Sequence, residues 1–123
     1  MMDAGSLAEA WIRLHHLPKD SKEREALDWS WEKLTEMCES SPENGWNVIL
    51  EIIALDQSDP ILANVGAGPF EDLMGNHGAS FIDRVESCAW TNPPFRRMLG
   101  VVWKNSIPDA VWNRIRAIAP PSW

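Results

Sequence analysis

The feature that most constrains the fold of this chain is the signature of a helix start, which recurs along its whole length. Ser, Asp, Asn or Gly precedes a run with helical apolar spacing, and Pro often occupies the first turn. Eight such starts lie at Ser6, Asp20, Ser40, Asp59, Gly68, Ser80, Asn92 and Ser106. Only residues 101–103 form a short β-prone run. The sequence therefore predicts an all-α fold, a compact bundle of seven or eight short helices arranged as antiparallel hairpins, with a short solenoid-like array as the alternative.

The length and the apolar pattern predict one helical domain over residues 1–123. In the third helix, Trp46, Ile49 and Ile53 share a stripe within a run that is apolar most of the way round, so we expect it to be central. The chain has eight Trp and no Tyr, and we expect most of these Trp side chains to lie in the core or between helices. Cys38 and Cys88 fall on predicted core stripes and should be buried.

The negative charge is concentrated in one half of the chain. Residues 1–60 carry 13 acidic and 5 basic side chains, whereas residues 61–123 carry 5 acidic and 6 basic ones. Such an acidic half disfavours binding to nucleic acid and to anionic membranes, and it favours a basic protein partner. The first residues lack the pattern of a signal peptide and the longest apolar run contains Glu51, so we expect a cytoplasmic protein.

Residues 21–39 predict a helix with two very different faces. Leu27, Trp31, Leu34 and Cys38 form an apolar stripe that should face the core. Five carboxylates cover the opposite side, with Trp29 at their edge: Glu25, Asp28, Glu32, Glu36 and Glu39. We interpret these five residues and Trp29 as a partner-binding surface. The alternatives are that the charge only keeps the protein soluble, and that Trp29 packs on a neighbouring helix or on the stem of Lys33.

Residues 68–78 read as one complete short helix in which each notable residue has a structural role. Gly68 is the N-cap and Pro69 the first helical residue, and the Glu71 carboxylate can reach back to the Gly68 N–H. Asp72 lies in the first turn and His77 in the last, each matched to the helix dipole. Gly78 supplies the left-handed residue that ends the helix.

The same region contains the strongest candidates for chemistry. A cluster of Glu71, His77, Asp83 and Glu86 would suit a metal-dependent hydrolase, because carboxylates and imidazole bind divalent metals. Alternatively, Glu71 or Asp72 pairs with an arginine such as Arg84, Arg96 or Arg97. The sequence holds no metalloprotease, nucleophile-elbow or P-loop motif. We therefore expect a protein that is not an enzyme and that uses neither a metal nor another cofactor.

Three runs, AGPFEDLMGNHG, FIDRVESCAW and NPPFRRMLGVVW, resemble in their order a family of uncharacterised bacterial domains. The resemblance covers about residues 42–116, so the acidic helix lies outside it. It implies a bacterial, helical, soluble domain and brings no activity with it. The residues that match the family pattern are Gly68, Pro69, Glu71, Asp72, His77, Gly78, Asp83, Glu86 and Trp103.

Two functional hypotheses follow from these observations. The first is a protein-binding inhibitor, similar to bacterial immunity proteins, that neutralises a basic toxin through the acidic helix face. The second is a structural or oligomerising scaffold that uses apolar contacts. The sequence leaves open the oligomeric state, and whether Trp123 is free or anchored on the core.

Overall fold

Seven α-helices joined by short connections make up residues 3–123, the part of the chain that this computed structural model describes. The predicted all-α bundle is confirmed, and no strand occurs among these residues. The helices are α1 (Ala4–His16), α2 (Lys22–Ser40), α3 (Pro42–Leu55), α4 (Asp59–Ala67), α5 (Pro69–Thr91), α6 (Pro93–Leu99) and α7 (Asp109–Ile118).

Most helices begin close to their predicted starts, but several caps are other residues than predicted. The Asp3 carboxylate accepts the Ser6 N–H of α1 at 2.7 Å, and the Ser21 hydroxyl accepts the Arg24 N–H of α2 at 3.2 Å. Asp3 and Ser21 have extended backbones, as an N-cap requires. The prediction of Ser6 and Asp20 as the caps was therefore wrong. Helix α7 begins after Pro108 rather than at Ser106, because a proline disfavours helical geometry in the residue before it.

One buried core collects side chains from all seven helices. The prediction that the third helix is central is confirmed, since α3 contacts α1, α2, α4, α5 and α6. Helix α5 is equally central, with contacts to α2, α3, α4, α6 and α7. Contacts between helices distant in sequence, such as α1 with α4 and α5 with α7, form a bundle rather than a solenoid, in which each repeat contacts its neighbours.

The tryptophans depart most from expectation. Trp11 and Trp46 are buried and Trp112 is half-buried, but the other five are 39–84% exposed: Trp29, Trp31, Trp90, Trp103 and Trp123. The prediction that most Trp side chains are structural was therefore wrong. Trp31 was placed on the core stripe, yet it is 51% exposed, because it lies about 60° around α2 from the buried Leu34.

The two cysteines are free thiols in different surroundings. Cys38 is buried in the core as predicted, and burial raises the pKa of its thiol to about 12. Cys88 is only half-buried, against expectation, and burial raises the pKa of its thiol as well. Neither thiol is therefore activated as a nucleophile.

Each helix combines a buried stripe with an exposed polar face. Across residues 3–123, none of them has the length together with the apolar character that crossing a bilayer would require.

Candidate functional site

The acidic ridge, defined as Glu25, Asp28, Glu32, Glu36 and Glu39, runs along the solvent side of α2. All five side chains are exposed. The opposite side of α2 buries Ser30, Leu34 and Cys38 where the helix packs on α1, α3 and α5. Within residues 3–123, no Lys, Arg or His side chain lies within ion-pair distance of a ridge carboxylate. The ridge is therefore an open, negatively charged surface that the described part of the molecule does not neutralise.

Two exposed tryptophans flank the acidic ridge. By helical geometry Trp29 lies about 60° to one side of the ridge centre, and Trp31 lies about 100° to the other. Trp29 is 39% exposed and shares a shallow cleft of about 300 Å³ with Glu32, Lys33 and Glu36. Trp29 thus lies beside Lys33, which agrees with the alternative that it packs on the stem of that lysine. Much of its ring nevertheless remains accessible. Such a Trp can contribute a large apolar contact to a partner.

The central motif begins as predicted but does not end as predicted. Gly68 is the N-cap of α5 and Pro69 is its first residue. The helix then passes through a kink at His77 (φ −136°, ψ 19°) and continues to Thr91, so Ser80 starts no helix. Gly78 does not have a positive φ and so is not a left-handed terminus.

Contacts with neighbouring helices explain why glycine suits position 78 and histidine suits position 77 of α5. A Cβ added at Gly78 would lie 3.0 Å from the Val111 Cγ1 atom, so the glycine allows α7 to approach α5 closely. At the kink, His77 Nε2 donates to the Glu39 carbonyl at 2.7 Å, which satisfies one of the last carbonyl groups of α2. These contacts hold α5 against α7 on one side and α2 on the other.

The carboxylates of the motif also have structural surroundings. The Glu71 carboxylate accepts from the Asn105 side-chain amide and not from the Gly68 N–H, so that part of the prediction was wrong. It thereby links α5 to the turn before α7. Burial, followed by the nearby carboxylates Glu71 and Glu39, raises the pKa of the Asp72 carboxyl. No arginine partner relieves this repulsion among residues 3–123.

The cluster proposed for metal chemistry is not assembled. Arg114 of α7 binds both Asp83, at 2.7 Å, and Glu86. Glu71 and His77 are engaged elsewhere, and in the described chain no three His, Cys, Asp or Glu side chains are grouped to hold a metal. The alternative ion pairs were also wrong: Arg84 pairs with Glu43, Arg97 pairs with Asp59, and Arg96 donates to the Ile118 carbonyl.

Sequence reasoning missed a second surface, the tryptophan groove, which we define by Val102, Trp103, Trp112, Arg116 and Trp123. It has a volume of about 520 Å³ and lies between α7 and the segments on either side of it. Trp123 is anchored there, because its Nε1–H donates to the Arg97 carbonyl at 3.0 Å, while the Arg97 guanidinium lies over its ring. Of the two alternatives for Trp123, free or anchored, the structure therefore shows the anchored one.

The exposure of Trp90 and Trp103, which lie near α7, was partly predictable from the sequence. Trp90 lies about 140° around α5 from the core residue Val85, and it is 84% exposed. Trp103 precedes a polar turn in a connection between helices, and it is 71% exposed. The expectation that most tryptophans are structural concealed both signals.

Fold and surface together define a small all-α protein with an open acidic helix face. The chain belongs to the family described as "Family of unknown function (DUF6869)", whose model matches residues 17–121. This confirms the expected membership of a family without assigned function. It also corrects the extent of the resemblance, because the matched residues include the acidic helix. Neither a curated protein nor a solved structure matches the chain.

Proposed function

We propose that this protein is a protein-binding module that docks a basic partner on the acidic ridge. The observation that carries the proposal is the set of five exposed ridge carboxylates with no cationic side chain of the described chain within ion-pair distance. Elsewhere in the molecule, carboxylates such as Glu43 and Glu86 are paired with arginines from other helices. An unpaired acidic face attracts Lys-rich and Arg-rich surfaces and accelerates encounter with them.

Aromatic contact would turn this attraction into a stable complex. Exposed charges by themselves contribute little affinity, since each keeps most of its hydration and is screened by salt. Trp29 lies in a cleft with Glu32 and Glu36, so a partner that covers the cleft would bury its ring among charge-assisted contacts. Trp residues in such positions commonly dominate binding energy.

The specific form that we propose is a bacterial, cytoplasmic inhibitor of the immunity type. Its mechanism is occlusion: the acidic ridge covers the Lys-rich or Arg-rich functional surface of a basic toxin, so that the toxin cannot reach its own target. This mechanism requires neither a metal nor catalysis by the inhibitor. The size of the protein and the five carboxylates on one face of α2, unpaired within the described chain, support this form.

The test is affinity capture from the native host with the full chain as bait. We compare the wild type with Glu32→Lys/Glu36→Lys, and with a control, Glu9→Lys/Asp20→Lys, that changes the net charge equally. Glu9 and Asp20 are exposed and make no ion pair within residues 3–123. A basic partner should bind the wild type and the control alike, and bind the ridge variant at least about tenfold more weakly.

Substitutions of tryptophan test whether the Trp29 ring contributes to binding of the partner. Trp29→Ala should weaken the captured complex by at least about tenfold, whereas Trp90→Ala, on the α5 surface, should not. Circular dichroism checks that every variant remains helical. A partner that binds the ridge variant as tightly as the wild type would overturn the proposal.

An oligomerising scaffold is the second candidate, and one observation favours it. Trp90 and Trp103 are 84% and 71% exposed, and large exposed apolar groups often mark interaction surfaces. The scaffold candidate requires that the purified protein associate with itself. The docking of a basic partner does not require this.

A further inference from the structure

Two clefts that contain tryptophan and arginine side chains flank the C-terminal end of α7. The tryptophan groove lies on one flank of this helix. On the other flank, a cleft of about 410 Å³ is lined by Trp90, Arg96 and Ile118, and also by Glu86, whose carboxylate Arg114 binds. Clefts of roughly 300–1,000 Å³ are large enough to receive substantial side chains. Exposed Trp103 and Trp90 border the two clefts, so a partner would find apolar area on both sides of α7.

The charge of this region is the opposite of that of α2. Residues 93–123 contain five basic side chains and one acidic side chain. Two of the arginines are bound only to backbone carbonyl groups: Arg96 donates to Ile118, and Arg116 donates to Ala119 and Val102. Arg116 also stacks on Trp112, with its guanidinium carbon 4.4 Å from the ring centroid. Its Nε atom is buried and lacks a hydrogen-bond partner. Neither Arg96 nor Arg116 is paired with a carboxylate within residues 3–123, so their charges are not neutralised there. Arg96 is exposed, whereas Arg116 is half-buried.

The chain itself carries a complementary surface. The acidic ridge presents unpaired carboxylates between exposed Trp29 and Trp31, whereas the α7 surface presents unpaired arginines between exposed Trp90 and Trp103. Within one molecule the two cannot meet, because the ridge faces solvent on α2, and α2 packs on α1, α3 and α5. Only a second molecule can bring them together.

We propose that a second copy of this chain docks its acidic ridge on the tryptophan groove and the adjoining cleft. The contact is heterologous, since different patches of the two copies meet, so each copy keeps one free ridge and one free groove. Ridge carboxylates approach Arg96 and Arg116, and a ridge tryptophan contacts the apolar wall of the groove. This inference rests on the scaffold candidate and gives it a specific interface. A basic partner would compete with the second copy for the ridge.

The experiment measures the mass of the purified full chain by sedimentation equilibrium, up to about 200 µM. We expect the average mass to rise with concentration in about 50 mM NaCl, and the association to weaken at least tenfold in about 500 mM NaCl. The ridge variant Glu32→Lys/Glu36→Lys and the groove variant Arg96→Gln/Trp103→Ala should each be monomeric. Glu9→Lys/Asp20→Lys and Leu55→Ala are the controls, because they change two exposed charges and an exposed apolar side chain elsewhere. Both controls should associate as the wild type does.

Mixing the two monomeric variants is the decisive step. The ridge variant keeps an intact groove and the groove variant keeps an intact ridge, so the mixture should form a 1:1 heterodimer and nothing larger. Three results would overturn the inference: a wild type that stays monomeric at low salt, variants that associate normally, or a mixture that stays monomeric. A monomeric wild type would leave the proposed docking of a basic partner standing, since capture by the ridge is measured separately.

Discussion

The acidic ridge and the contact between α5 and α7 use the same residue types in opposite ways. On α5, Asp83 and Glu86 lie three residues apart and face α7, which supplies Arg114 to bind both. The Arg114 guanidinium holds the pKa of the Glu86 carboxyl below its usual 4.5. On α2, the ridge carboxylates face solvent, and no helix of the described chain brings an arginine to them.

This difference separates carboxylates that contribute to folding from carboxylates that do not. The pair on α5 is neutralised because a neighbouring helix packs there closely enough to deliver a guanidinium. The ridge has no such neighbour, and its members repel one another at helical spacing. Charge on a helix face therefore indicates a role outside the fold only after the neighbouring helices are known. The following predictions test both sides of the comparison.

The largest effect is expected at the glycine that lets α7 reach α5. Gly78→Val should destabilise the protein by at least about 2 kcal/mol, because its side chain would collide with Val111 and push α7 away. Arg114 would then lose its approach to Asp83 and Glu86. Chemical denaturation measures the change.

Gly5→Ala is the matched control for this substitution. The Cβ atom added at Gly5 would meet Asp3 Oδ1 at an ordinary 3.5 Å, so the control should keep wild-type stability or exceed it by up to about 1 kcal/mol. Equal destabilisation by both substitutions would refute the close-approach explanation for Gly78.

A smaller effect, and one that depends on pH, is expected for Arg114→Gln. At pH 7 this change should lower the melting temperature by less than about 4 °C, because Asp83 is largely exposed and the Arg114–Glu86 pair is only partly buried. A carboxyl whose pKa is lowered by folding stabilises the protein above its unfolded pKa and loses that contribution as the pH falls through its folded value. The difference between wild type and variant should therefore shrink below pH 4.5, the usual value for Glu86.

Arg13→Gln is the control for the Arg114 substitution. It removes a single pair with Glu23, whose atoms are 3.3 Å apart and whose side chains are about two-thirds exposed. We expect almost no change at either pH. A difference for Arg114→Gln that persists undiminished at low pH would show that Arg114 acts by packing and not by charge.

Local patterns predicted most of the fold. The all-α class, the central α3 and the burial of Leu34 and Cys38 on α2 follow from helical spacing, which is a property of contiguous residues. Helix ends were less predictable, because Asp3 and Ser21 compete with nearby Ser6 and Asp20 for the same capping role. The continuation of α5 through His77 depends on contacts with α2 and α7, which no local pattern contains.

The candidate surfaces were predictable to different degrees. Exposure of the acidic ridge follows from its position opposite Leu34 and Cys38 on a single helix. The tryptophan groove brings together residues from a loop, from α7 and from the end of the described chain, so only tertiary structure reveals it. The same holds for Arg114, whose carboxylate partners lie about thirty residues earlier in the sequence.

The smallest effect expected is a gain in stability on neutralising part of the ridge. Glu32 and Glu36 are four residues apart, and a like-charged pair at this spacing destabilises a helix by a few tenths of a kcal/mol. Glu32→Gln/Glu36→Gln should therefore raise the melting temperature by about 1–2 °C at low salt, and not at all in about 500 mM salt. Glu9→Gln/Asp20→Gln, whose members lie on separate elements, should leave it unchanged.

Whether the melting temperature rises or falls in Glu32→Gln/Glu36→Gln decides whether the ridge carboxylates differ from those on α5. A gain would mean that the ridge charges oppose folding, in contrast to Asp83 and Glu86, and a surface that costs stability is typical of one used for binding. A fall in melting temperature would mean that cations of the same molecule already neutralise the ridge in solution. The distinction between the two kinds of carboxylate would then disappear, together with the reason for assigning the ridge to a partner.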